Sequence, residues 1–115
     1  MKDFRDDEFL CSWGCNSDIT DELKDLLNRA RKIAGVPFVI TSGARCKDYN
    51  RAIGSKDTSS HTKGLAVDIK ASGSRERSLI INSLCRLGVT RFGVDKSFVH
   101  MDIDIDKEQD VLWLY

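Results

Sequence analysis

Leu23, Leu26, Leu27, Ala30 and Ile33 recur at the three-and-four spacing of one buried helix face, which predicts a first long helix over residues 18–34. Asp18, Thr20, Asp21 and Glu22 suit its start. Arg29, Arg31 and Lys32 complement the helix dipole near its end, and Gly35 and Pro37 stop it. Residues 38–41 then read as a short buried strand leading into the turn Ser42-Gly43. A short helix is expected over 47–53, followed by a polar surface loop over 54–63 that has no apolar periodicity.

Over 65–70 the pattern changes to strict alternation. Leu65, Val67 and Ile69 fall on one face, and Ala66, Asp68 and Lys70 on the other, which predicts a half-buried strand presenting Asp68 on its polar side. A second long helix is expected over 74–87, with Leu79 or Ile80, Leu84, Cys85 and Leu87 inward and Gly88 as its stop. Alternation returns over 98–105, where Val99, Met101, Ile103 and Ile105 oppose His100, Asp102 and Asp104. A last strand is expected over 111–115, joined to the previous one by the acidic segment 104–110. This order predicts an α+β fold, with helices packed on a mainly antiparallel sheet, in a single domain over 1–115.

Composition fits that picture. The chain has 115 residues, 41% hydrophobic and 31% charged, as expected of a packed globular domain. Its formal net charge is +0 with acids and bases interleaved, so it lacks the electrostatic footprint of a nucleic-acid partner. No stretch approaches the apolar length of a membrane span, and a monomer is expected. The opening MKDFRDDEFLCSWGC has acids where a secretory signal needs a basic end, so no signal peptide is expected. Cys11, Cys15, Cys46 and Cys85 are compatible with two disulfides, one, a structural metal site or none, with Cys85 read as core.

The chemistry concentrates at the histidines. There are only two, and each stands beside carboxylates in a polar setting: His61 at the end of a loop, in SSHTKGLAVD, and His100 on a strand's polar face, in FVHMD. With Asp68 they make two imidazoles and one carboxylate, the ligand set of many catalytic zinc sites, where a fourth position is left for water. Such a metal lowers the pKa of that water and polarises a scissile carbonyl. Gly64 suits a chain that must turn from a ligand-bearing loop into a strand within a few residues.

The string SSHTKGLAVDIK resembles the signature S-x-H-x-x-G-x-A-x-D of peptidase family M15, the zinc D-alanyl-D-alanine peptidases and L-alanyl-D-glutamate endopeptidases, which share a fold with hedgehog signalling domains. Ser59, His61, Gly64, Ala66 and Asp68 match it. FVHMDID resembles the strand carrying the third ligand, with His100 in that position, and VITSGARCKDYNRAIG resembles the preceding S-G-x-R segment. The resemblance implies a hedgehog/DD-peptidase-like fold, Zn2+ held by His61, Asp68 and His100, and a peptide substrate from bacterial cell-wall peptidoglycan. It also implies that Arg45 binds a substrate carboxylate, for which a guanidinium fork is suited, and that Ser59 orients substrate or a ligand.

One position departs from the family. Many members carry Asp or Glu three residues before the last histidine as general base, and here that residue is Ser97. A serine hydroxyl does not serve as that base unaided, which leaves Asp95 and Asp102 as candidate catalytic carboxylates; Asp102 is equally a candidate to fix the tautomer of a ligand histidine. Two functions are therefore expected: a wall-cleaving zinc peptidase, of phage-lysin or wall-remodelling type, or a zinc-containing binding module without turnover. Without a signal peptide of its own, such a lysin would reach the wall through a holin or as a virion-associated protein.

Overall fold

In a computed structural model, the described residues are 18–45, 47–55 and 59–115, with backbone alone for 47–49. Helix α1 spans Asp21–Ala34, and Thr20 caps it by accepting from the backbone N–H of Leu23. Strand β1 (Ile40–Ser42) and helix α2 (Lys47–Ala52) follow, then a 3-10 turn at Ser60–Lys63. Strand β2 (Ala66–Lys70), helix α3 (Ser74–Arg86), and strands β3 (Arg91–Val94), β4 (Phe98–Asp102) and β5 (Val111–Leu114) complete the chain. The strands form one sheet in the order β1-β2-β4-β3-β5. Its pairings are antiparallel except that of β3 with β5, which is parallel. The fold is thus α+β on a mixed, mostly antiparallel sheet.

Alternation in the strands decides which face does what. Val67 and Ile69 from β2, Val99 and Met101 from β4 and Phe92 from β3 share a core with Leu23, Leu27 and Ala30 of α1 and Ile80 and Leu84 of α3. Burying each large side chain contributes about 1.5–3 kcal/mol. The opposite face of the same strands carries Asp68, His100, Asp102 and Arg91, with Trp113 of β5 alongside. One-residue slippage in β2 or β4 would move the ionisable set into the core, so hydrophobic burial itself fixes where the polar side chains stand.

Several elements differ from the sequence reading. Strand β3 was not expected: it is four residues long, and Gly93 weakens its strand signal. The segment before His61 is not wholly a surface loop, since Ser60 and His61 are buried in the 3-10 turn. Cys85 is exposed and free rather than core. With Ile80, Ser83 and Leu84 inward, the position after Leu84 rotates out of the buried arc; the Ser83 hydroxyl is accommodated there by donating to the Ile80 carbonyl at 2.8 Å. Ile33 is 42% exposed, because ten residues on from Leu23 it has turned about 80° off the buried line. Ile105 is 87% exposed, since β4 ends at Asp102 and the Asp104 carboxylate, by accepting the Asp106 N–H, curls the chain into turns. Cys11, Cys15 and Cys46 lie outside the described residues.

Candidate metal centre

Strand register brings the first two polar side chains together. Asp68 of β2 lies directly opposite His100 of β4, and cross-strand neighbours on one face stand about 5 Å apart at Cβ. His61 reaches the same point from the 3-10 turn. Ser59 caps that turn by accepting the His61 N–H at 3.3 Å, and the His61 carbonyl accepts the N–H of Arg45 at 3.1 Å. Gly64 ends the turn at φ 71°, where a Cβ would sit 2.6 Å from the Asp18 carbonyl oxygen, so only glycine lets the turn pass under the start of α1.

The donor atoms converge. His61 Nε2 lies 3.4 Å and His100 Nδ1 2.9 Å from Asp68 Oδ1. The ligand atoms of the three residues all fall within 4.8 Å of one another. Each imidazole has its far nitrogen occupied: His61 Nδ1 donates to the Gly43 carbonyl at 2.7 Å, and His100 Nε2 lies 2.8 Å from Asp102 Oδ2. A carbonyl only accepts, so the proton of neutral His61 is on Nδ1 and its lone pair on Nε2 points at Asp68. Asp102 does the same for His100. These are the outer partners that fix ligand tautomers in metal sites. Two imidazole nitrogens and a carboxylate oxygen, aimed inward with their outer edges tied, fit a metal ion.

Electrostatics agree with that geometry. Burial alone would raise the pKa of Asp68, yet hydrogen bonds from His100 and His61 hold it well below the usual carboxylate range. Burial would lower that of His100, but Asp102 and Asp68 raise it. Asp102 is likewise held down against its burial by His100 and by Arg91, whose Nε donates to Asp102 Oδ1 at 2.6 Å. The cluster therefore calls for positive charge. The hydrogen bonds to Asp68 need protons on the inward imidazole nitrogens, and a bound cation would take the place of those protons.

The other expected residues are placed as follows. Arg45 stands beside the cluster with Nη2 3.8 Å from Asp68 Oδ2. Its remaining donors go to Ser42, Asn50 and Ser55. Ser59 acts on the backbone of the turn carrying His61. Asp95 sits in the β3–β4 turn, where Asp95 Oδ2 accepts from the Ser97 N–H at 3.1 Å and hydroxyl at 2.9 Å. These two bonds lower its pKa. Asp102 has both oxygens engaged by Arg91 and His100.

Sequence reading missed Arg91, Trp113 and Tyr115. Alternation through Arg91 and Gly93 would have put Arg91 on the face of His100 had β3 been recognised. Gly93 lies opposite His100, and a Cβ there would run into the Trp113 and Tyr115 rings. That gap lets Trp113 come within 5.4 Å of the His100 ring and lets Arg91 lie 5.1 Å from the Trp113 centroid. These residues, with Ser55, Ser59 and Lys107, line a groove of about 240 Å³ that opens onto His100.

Among the described residues no helix is long and apolar enough to cross a membrane. A comparison with curated proteins finds no match. A sequence profile of the family Peptidase M15 matches residues 2–102, a span holding His61, Asp68 and His100. A match over so much of the chain settles the relationship: this protein belongs to the peptidase M15 family.

Proposed function

We propose that this chain is a zinc-dependent peptidase that hydrolyses peptide bonds of bacterial cell-wall peptidoglycan, built on a hedgehog/DD-peptidase-like fold. The observation that carries the reading is the convergence of His61 Nε2, Asp68 Oδ1 and His100 Nδ1, with both outer imidazole nitrogens already tied. A zinc ion bound there would supply a nucleophile at neutral pH and polarise the scissile carbonyl. Asp102 and the Gly43 carbonyl keep the ligand imidazoles in the required tautomers. Arg45 braces the second oxygen of Asp68, and Ser59 sets the turn that presents His61.

Asp95 is the proton acceptor in this reading. Its Oδ2 rests against the Ser97 side chain, beside the position from which the carboxylate of many family members acts. The Ser97 hydrogen bonds lower its pKa and so weaken it as a base, and Asp95 would have to shed them to take a proton from the attacking water. Asp102, with both oxygens engaged, serves better as a positioning group. A phage lysin and a wall-remodelling enzyme are both compatible with this chemistry.

The second reading, a zinc-containing module without turnover, draws on Ser97 standing where a carboxylate is usual. One experiment separates the two. Purified protein loaded with zinc should release new amino and carboxyl termini from peptidoglycan, and a chelator should abolish the release. Asp95→Asn should keep its zinc and lose most of the activity. Stoichiometric zinc with no bond cut in any wall chemotype would leave the binding module standing.

A further inference from the structure

The groove beside His100 contains two cations whose donors the cluster does not exhaust. Arg91 is 8% exposed; its Nε is spent on Asp102 and its Nη1 on the Glu108 carbonyl, while Nη2 has no partner among the described residues. Lys107 holds Asp104 only loosely, at 3.9 Å, because Lys63 and Ser60 already grip that carboxylate at 3.0 and 2.8 Å. Arg45 is different: every arm of its guanidinium is engaged, by Ser42, Asn50, Ser55 and Asp68. The one carboxylate in the groove lining, Asp102, is shared between His100 and Arg91, which leaves the lining positive.

We propose that Arg91 and Lys107 form the carboxylate subsite of this protein, receiving an anionic group of the peptide substrate in the groove that opens onto His100. The inference rests on the peptidase reading for the nature of the ligand, but the subsite belongs to the chain itself. Arg91 lies on β3, and Lys107 lies beyond the residues matched by the family profile, in the segment leading to β5. The planar guanidinium under Trp113 offers the directional donor, and the lysine offers a mobile point charge. Arg45 is then a brace for Asp68 rather than the hand that holds substrate.

Two stem peptides, identical except that free carboxylates in one are primary amides in the other, test this on the full chain. Binding is read without turnover on metal-stripped protein, from the Trp113 indole N–H signal in NMR titrations. The acid peptide should bind about tenfold more tightly than the amide, the ratio expected of a charge-assisted hydrogen bond. That preference should collapse in Lys107→Gln and in Arg91→Lys, which keeps a charge for Asp102 but loses the second arm. It should survive in Arg45→Gln. Equal binding of acid and amide overturns the proposal, as does a preference lost only in Arg45→Gln. Should Arg91→Lys fail to fold, the half-exposed Lys107 decides alone. Cleavage of both peptides by zinc-loaded protein is measured separately. An acid preference with no cleavage leaves the subsite and removes the peptidase, whereas cleavage with equal binding does the reverse.

Discussion

Asp68 and Asp104 are both withdrawn from water on neighbouring parts of one structure, yet their charges are met in opposite ways. Asp104, 0% exposed, takes the Lys63 ammonium at 3.0 Å and the Ser60 hydroxyl at 2.8 Å. Burial would raise its pKa, and Lys63 and Ser60 hold it down. Asp68, with 14% of its side chain exposed, has an arginine only at 3.8 Å and is otherwise faced by two imidazole nitrogens. Neutral imidazoles bring lone pairs rather than charge. A buried carboxylate that finds its cation within the chain is a structural tie, and one surrounded by inward-facing lone pairs is a place for an added cation. The difference lies in what its neighbours bring, since both carboxylates are buried and both have a lowered pKa.

The sharpest way to break this contrast is to remove a ligand. His61→Ala should abolish tight zinc binding and lower peptidase activity on the order of a thousandfold, because several kcal/mol of transition-state stabilisation go with the ion. Stability of the metal-free protein should change far less than activity. Metal analysis and urea unfolding on the same preparation check both halves. Unchanged zinc content would place the ion elsewhere.

Asp104→Ala should behave in the opposite sense, costing about 1–3 kcal/mol of stability by leaving the buried Ser60 hydroxyl without its acceptor, while Lys63 keeps only Asp106 at 3.5 Å. Its pH dependence has a definite sign. A carboxylate whose pKa is lowered on folding contributes stability that is fully present above its unfolded value and is lost as pH falls through the folded one. The stability gap between the native chain and Asp104→Asn should therefore be widest near neutrality and close in acid. A constant gap from neutral to acid pH would mean that the Asp104 charge contributes nothing.

How far the sequence discloses each cluster follows from the range of the interactions. His61, Asp68 and His100 were readable because each lies in a local pattern: a glycine-ended turn for His61, and period-two alternation for the others. Helices α1 and α3 were readable for the same reason, as their apolar stripes run over several turns. Strand β3 was not, being four residues interrupted by Gly93, and with it went Arg91 and the partner of β5. The Lys63–Asp104 tie joins residues 41 apart, and no local pattern encodes such a pair. Cys85 was misread because neighbouring residues at the edge of an apolar stripe differ by about 100° in direction, so adjacent positions can lie on opposite sides of the burial boundary.

The tautomer partners give a smaller effect. Asp102→Asn preserves shape but turns one acceptor oxygen into a donor, facing either Arg91 or His100. Zinc affinity should fall about 10–100-fold, the usual cost of losing such a partner, while stoichiometry at saturating zinc stays unchanged. A competition titration against a chelator of known affinity measures it. An affinity equal to that of the native chain would mean that His100 is oriented by packing alone, with Trp113 as the candidate neighbour at 5.4 Å.

The smallest expected effect asks whether the two clusters are separable at all. Ser60 and His61 are consecutive in one 3-10 turn, yet the Ser60 hydroxyl points to Asp104 while the His61 ring points to Asp68. Ser60→Ala removes a single buried hydrogen bond, for a loss of about 1 kcal/mol in stability. If the turn is held independently, by the Ser59 cap and by the Arg45 N–H on the His61 carbonyl, zinc affinity should stay within about threefold, since the Ser60 bond then adds under 1 kcal/mol to the site. A larger fall would make the Asp104 cluster part of the metal site's support, with Ser60 as the link. Combining Ser60→Ala with Asp104→Ala in a double-mutant cycle would then show whether the coupling runs through that one hydrogen bond.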